Sequence, residues 1–433
     1  MTARAGVTTM LLVALPFFAA SSAEASVPQA GVLPRGGAYV LSADATVATA
    51  AVGLWFRAPA AGYGNATVGI GDLAATAAAV APLAGGKSLY ALVHTVGGEL
   101  NIEVYPDIVG IGAVVPAAAA RRVVAGMTSA YFAPSIDDAA VKTARANAAV
   151  LSVQQRYEAD TMLHDLLFEH VFAAGPARYP PLPSAVSQLT SISTSQISAY
   201  AKRAFRASNS VLTLSGNVDV SAVGAVTDGN GGGPMEPPYD SKPAGGPRSA
   251  TVQGAIDGLG LAWVGPSIAD ERAATALDFV ADYLFREQTG IVWKAVDRSG
   301  PDALIVGQFI TLHDPGVMIV TIGGSGQKEV QQHVLDALDR LQQPLDAPTF
   351  SAAREAFLYH VASETQTPQQ RADNFGWYTV EGDPEYAPGI PDGKYERLAR
   401  ALDPAYVAEV VRRYLREPAV VELVAPPSKK SAS

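Results

Sequence analysis

Six histidines and no cysteine leave few places in this chain of 433 residues where a metal site or a nucleophile could be built. The densest candidate is His164-Asp165-Leu166-Leu167-Phe168-Glu169-His170, in which two imidazoles flank two carboxylates. Six residues apart on a helix, the two rings point to different faces, so they do not converge on one ion as an i, i+4 pair does. They read as helix surface or packing. His94, His313, His333 and His360 stand alone, with no ligand spacing around them. The run Gly323-Gly324-Ser325-Gly326-Gln327-Lys328 lies between an expected strand and an expected helix, as a phosphate loop does. It lacks the Gly-Lys-Ser/Thr ending, and Gln327 spoils a Gly-x-Ser-x-Gly elbow, so it reads as a turn. The absence of cysteine removes disulfides, thiolate metal ligands and cysteine-linked lipids together.

The elements that must position any chemistry come twice. Trp55 and Trp263 close similar apolar strands 208 residues apart (263 − 55), and Val109 and Val317 sit in strands at the same offset (317 − 109). Asp138 and Asp346 stand at helix starts (346 − 138 = 208), and Lys202-Arg203 and Arg412-Arg413 occupy the ends of matching helices (412 − 202 = 210). One strand-and-helix plan used twice is an internal duplication, which fixes the architecture in which local motifs sit. In the first copy, alternation and apolar runs predict strands over 38–42 and 48–57, a hairpin over 99–105 and 108–115, and a closing strand over 210–215. Helices are expected over 68–83, 117–129, 137–157, 160–172 and 193–205. The Gly- and Pro-dense stretch 226–249 reads as the linker between domains at 32–225 and 250–427.

A formal charge of −10 and a pI near 5.1 give no basic footprint, so nucleic acid and anionic membranes are poor partners. At the N-terminus, Arg4, the apolar run from Val7 to Ala20, and Ala23-Glu24-Ala25 before Ser26 fit an export signal over 1–25. The expected mature protein is periplasmic or extracellular, with no membrane span after cleavage.

The order strand, strand, helix, hairpin, long helices, strand, used twice, resembles the insulinase or mitochondrial processing peptidase family, the M16 zinc metallopeptidases. Local text agrees: Gly69-Ile70-Gly71 opening the first helix, Val96-Gly97-Gly98-Glu99-Leu100-Asn101 before the hairpin, Leu214-Ser215-Gly216-Asn217-Val218-Asp219 closing the copy, and Phe285-Arg286-Glu287-Gln288-Thr289-Gly290-Ile291-Val292-Trp293 in the second. The resemblance implies an α+β fold of two tandem homologous LuxS/MPP-like domains, each a mixed sheet with helices mainly on one face. It also implies His-x-x-Glu-His on the first helix, with a further glutamate on a later helix, to hold zinc and activate water. Here Asp72 stands for the first histidine, Ala75 for the base, Thr76 for the second histidine, and Ser152 or Val153 for the later ligand. A methyl group cannot accept a proton, so no catalytic or metal residue is expected in this chain. The resemblance further implies that Arg286 and an aromatic residue, here Trp293, face the substrate. Trp293 lacks the hydroxyl of the usual tyrosine.

Three readings follow. The first is an exported, inactive M16-like subunit, the non-zinc partner of an active one or a homodimer, holding a peptide or unfolded polypeptide in the interdomain cleft. Zinc would then belong only to the partner. The second is a noncatalytic peptide-binding or assembly protein resembling the core subunits of the respiratory cytochrome complex. The third is an active zinc metallopeptidase.

Overall fold

The computed structural model describes residues 27–64, 66–183, 185–229, 231–245, 248–299 and 303–426. The expected export signal at 1–25 lies outside them. The first half runs β1 (Gln29–Val32), β2 (Ala38–Ala43), β3 (Thr49–Arg57), α1 (Ile70–Val80), α2 (Leu89–Thr95), β4 (Glu99–Val104) and β5 (Ile108–Pro116). It continues through α3 (Ala120–Phe132), α4 (Asp138–Gln155), α5 (Ala159–Val171), β6 (Phe172–Ala174), α6 (Val186–Thr190), α7 (Thr194–Ala204) and β7 (Ser210–Gly216). The second half has β8 (Lys242–Pro243), β9 (Ser249–Gln253), β10 (Gly258–Val264), α8 (Glu271–Phe285), α9 (Ile291–Ser299), β11 (Ala303–Ile310) and β12 (Val317–Gly324). It closes with α10 (Gln327–Leu341), α11 (Ala347–Ser363), α12 (Pro368–Glu381), α13 (Lys394–Arg400), α14 (Pro404–Tyr414) and β13 (Ala419–Val424). No helix among the described residues is long and apolar enough to cross a membrane.

The duplication is explicit in the sheets. The first has the order β1-β2-β7-β3-β5-β4 and the second β9-β13-β10-β12-β11, so the second repeats the first without β1. Pairing senses match too: β2 with β7 and β9 with β13 are parallel, while the central pairs are antiparallel. Trp55 pairs with Gly110 and Trp263 with Met318, so both sides of the central pair are displaced by 208 residues (318 − 110 = 208). Helix starts repeat through their caps. Asp137 accepts a hydrogen bond from the Ala140 amide and Asp346 from the Thr349 amide, which places the first-half cap one residue before the expected Asp138. Ser193 and Asp403 cap α7 and α14 in the same way.

Each sheet is buried on both faces, but by different halves of the chain. Its own helices cover one face. On the other face of the first sheet lies α12 from the second half, and on the other face of the second sheet lies α5 from the first. This reciprocal exchange explains why β3 reads Thr-Ala-Ala-Val-Gly-Leu-Trp-Phe-Arg, a nearly continuous apolar run that alternation with solvent would not require. Leu163, Leu167, Phe168 and Val171 of α5 are buried with Ala262, Ile319 and Val421 of the second sheet. Each such side chain contributes about 1.5–3 kcal/mol by leaving water. Across the first sheet, α12 comes so close that a Cβ on Gly376 would lie 2.1 Å from Trp55 Nε1, so only glycine fits there.

Polar contacts fix the same seam. Arg371 of α12 is buried and donates to Asp44 Oδ2 (3.1 Å) and Ser215 Oγ (3.2 Å) of the first half. Arg57 at the end of β3 donates to the carbonyls of Val380 (2.5 Å) and Thr379 (3.3 Å) on α12 and of Glu236 (2.8 Å) in the connecting segment. Beside it, Asp107 and Glu381 are buried, and each keeps one carboxyl oxygen without a hydrogen-bond partner. The connecting segment is therefore not slack. Its Lys242–Pro243 pairs with Phe172–Ala174, and the Ser241 amide donates to Asp314 O (2.8 Å).

Candidate functional site

Helix α1 is built to be buried. Five of its alanines are almost inaccessible, and their small side chains let it sit against α4 and α7. Asp72 and Thr76 stand one turn apart on it and line a common cavity of about 400 Å³ that also receives Asn147, Val150 and Leu151 of α4 and Leu100, Ile102 and Val104 of β4. Asp72 Oδ2 accepts a hydrogen bond from the Tyr179 hydroxyl at 3.1 Å. Burial pushes the Asp72 carboxyl up to about 6 against the opposing effect of that bond, and the nearby charge of Asp165 adds to the rise. Ala75 offers only its carbonyl, which accepts from the buried Tyr131 hydroxyl at 3.0 Å. Ser152, the counterpart of the later ligand, is buried and donates to its own helix at Ala149 O (3.1 Å).

The second half places a polar constellation at the equivalent position. Asp278 and Asp282 repeat the one-turn spacing of Asp72 and Thr76 on α8, 206 residues on (278 − 72 and 282 − 76), and His360 stands 208 residues after Ser152 (360 − 152). The Tyr395 hydroxyl donates to Asp278 Oδ2 at 2.8 Å, as Tyr179 does to Asp72. His360 Nδ1 lies 2.8 Å from Asp282 Oδ1. Arg286 pairs with Glu364, with Asp282 Oδ1 at 3.7 Å, so its charge is met within its own half. These groups line a cavity of about 410 Å³ walled partly by Phe309, Phe357 and Tyr378. Trp293 is not in this lining; it packs, half-buried, against the core of the second half. His360, which stands alone in the sequence, thus has a partner 78 residues away. Only the 208-residue offset to Ser152 signalled it. His164 and His170 have different partners: the His164 ring lies tilted against Phe168 (4.9 Å between rings) and His170 Nδ1 donates to Leu166 O (2.7 Å).

No protein-family model matches the sequence, and no curated relative is found. Solved structures do match over nearly the whole chain. A protease from Helicobacter pylori superposes with a TM-score of 0.78 at 15% identity, covering 92% of this chain and 100% of its own. The peptidase M16 inactive domain from Pseudomonas fluorescens gives 0.77 at 16% identity, over 93% and 99%. The fold is that of the M16 peptidases. A chain of Complex III2 from Candida albicans shares it as well, with a TM-score of 0.73 at 12% identity over 91% and 95%.

The zinc that the M16 fold implies does not fit the residues present. At the motif positions stand one carboxyl already bonded to a tyrosine, a methyl, and two hydroxyls, against cavity walls that are largely aliphatic. This donor set lacks the imidazoles that suit zinc, and nothing at Ala75 can take a proton from water. Among the described residues no group of three or more His, Asp or Glu side chains is placed to hold a metal ion.

Proposed function

We propose that this chain is an exported, noncatalytic M16-fold subunit that holds an extended polypeptide and serves a zinc-carrying partner of the same fold. One observation carries the reading: the motif positions are filled by Asp72, Ala75, Thr76 and Ser152, yet the strand beside them, β4, is an edge strand of its sheet among the described residues. An edge strand presents unpaired N–H and C=O groups that an extended segment can pair with, and flanking cavities then accept alternate side chains. Purified mature protein is expected to bind no stoichiometric zinc and to cleave no unstructured peptide. Chelator-sensitive hydrolysis that survives stringent purification would overturn this.

Arg286 remains the residue proposed to face a substrate shared with the partner; Trp293, the other expected contact, packs half-buried against the core of the second half outside the Arg286 cavity. Arg286 reaches that substrate by exchanging Glu364 for its carbonyls, which a guanidinium can bond in pairs. In the reconstituted pair, Arg286→Ala is expected to lower kcat on the order of 10²-fold while assembly persists. Unchanged kinetics would assign Arg286 to the ion-pair network alone. The likeness to a chain of Complex III2 favours a second reading, an assembly subunit with no peptide to hold. Pull-down of the mature protein from its own compartment separates the two, because the first reading requires an M16-fold chain with intact His-x-x-Glu-His to co-purify.

A further inference from the structure

We infer that this chain has a ligand site at the end of its second sheet that takes a small organic oxyanion, a carboxylate or phosphate group carried on an apolar body. None of its residues belongs to the substituted motif or to the Arg286 cavity.

Strand register brings the site together. Arg248 directly precedes β9, and Arg416 and Glu417 lie just before β13. Because β9 and β13 run parallel, with Ser249 opposite Val420 and the Arg248 carbonyl accepting from the Val420 amide at 2.7 Å, both arginines stand at the same end of the sheet. Strand β10 runs antiparallel to β13 and pairs Ala262 with Ala419, so its last residues, Trp263 among them, finish there too. The connecting segment ties in α5, since the Ala244 amide donates to Val171 O at 2.7 Å and so holds His170 at this end. Together with Tyr414 these residues line a cavity of about 280 Å³, and the rest of its wall is alanine and valine.

The polar groups of that wall are short of acceptors. Among the described residues the Arg248 guanidinium makes no hydrogen bond or ion pair. Arg416 Nε and His170 Nδ1 each donate to the last turn of a helix, at Arg412 O and Leu166 O, as side-chain donors at helix C-termini do. That capping leaves the terminal nitrogens of Arg416 and Nε2 of His170 unengaged. The indole N–H of Trp263 is buried with no acceptor in the protein. Against these donors the lining holds a single carboxylate, Glu417, which is exposed and pairs with neither arginine. A guanidinium presents a planar fork that matches two oxygens of a carboxylate or phosphate, so two such forks beside apolar walls fit an oxyanion with a hydrocarbon or ring attached. A cationic ligand would meet two unpaired like charges. The volume agrees, being more than a bare ion needs and near the lower end of small-molecule pockets, about 300 Å³.

Titration calorimetry of the mature chain with phenyl phosphate, benzoate and benzyl alcohol tests the site, because the three share a ring and differ in the group it carries. At least one of the two anions is expected to bind about tenfold tighter than the uncharged alcohol, and the tighter anion identifies phosphate or carboxylate as the group recognised. Arg248→Gln and Arg416→Gln, both at exposed positions, are each expected to weaken that anion about tenfold while leaving affinity for benzyl alcohol unchanged. Glu417→Gln is expected to tighten it about threefold by removing the one like charge. Binding of neither anion would overturn the inference. So would benzyl alcohol binding as tightly as both anions, which would make the cavity merely apolar, or anion binding indifferent to both arginine variants, which would place the oxyanion elsewhere.

Discussion

Gly376→Ala is expected to destabilise the protein by about 2–3 kcal/mol, although alanine is the better helix former by about 1 kcal/mol. The new methyl would lie 2.1–2.4 Å from three atoms of the Trp55 indole, and the ring cannot retreat: a Cβ on Gly110 beneath it would already lie 2.8 Å from its Cζ3. Trp55 is thus clamped between two glycines, one from each half of the chain. Denaturant unfolding of the variant measures the loss. A double-mutant cycle with Trp55→Leu, which vacates the space, should recover much of it, because contacting residues couple and distant ones do not. If Gly376→Ala proves neutral or stabilising, α12 does not seat on the first sheet as described.

Stability is expected to fall as pH rises from about 4 to about 7 and then to level off. Burial raises the Asp107 carboxyl from 3.8 to about 7, and raises Glu381 beside it, with the charge of Asp107 as the second cause. Asp278 is likewise pushed up to about 7, chiefly by burial. A carboxyl whose folded value lies above its unfolded one keeps a proton that the unfolded chain releases. Its contribution is complete below about pH 4 and is lost as pH climbs through the folded value. At 1.36 kcal/mol per unit, Asp107 alone accounts for on the order of 4 kcal/mol. Other charged and titratable groups around the pair are Arg57, Tyr239 and Tyr378, with His313 donating to the Glu381 carbonyl at 2.8 Å. Urea melts of wild type at acid and at mildly alkaline pH should differ by several kcal/mol, whereas Asp107→Asn should flatten the profile and be the more stable protein at the alkaline end. A wild-type profile that is flat or rises with pH would contradict these assignments.

The duplicated architecture was legible because it rests on order and offset, which survive substitution. The Trp55 and Trp263 strands, the hairpins and the capped helices all lie close to where apolar period and cap residues put them. Several short elements were missed, among them β6, α6 and β8. Strand β1 and helix α2 are four and seven residues long, too brief for a period to emerge. The exchange of α5 and α12 was also invisible, because periodicity shows that a helix has an apolar face without saying which sheet covers it. At the site, the placement of Asp72, Ala75 and Thr76 on one helix was legible, since they lie within five residues of one apolar run. The Asp282–His360 contact was not, as its members sit on separate helices with no ligand spacing between them.

The exchange of helices also bears on how the chain is made. When the first half has left the ribosome, α5 has no sheet to lie on and the indole of Trp55 has no cover, because the strands under α5 begin at Gly258 and end only with Ala419–Val424, and α12, which covers Trp55, starts at Pro368. The nascent first half must wait with two apolar faces open, and a chain carried across a membrane unfolded would meet the same delay on the far side. Folding is therefore a single late event that needs the last third of the sequence. A truncated product would be a target for proteases and holdase chaperones rather than a smaller working protein.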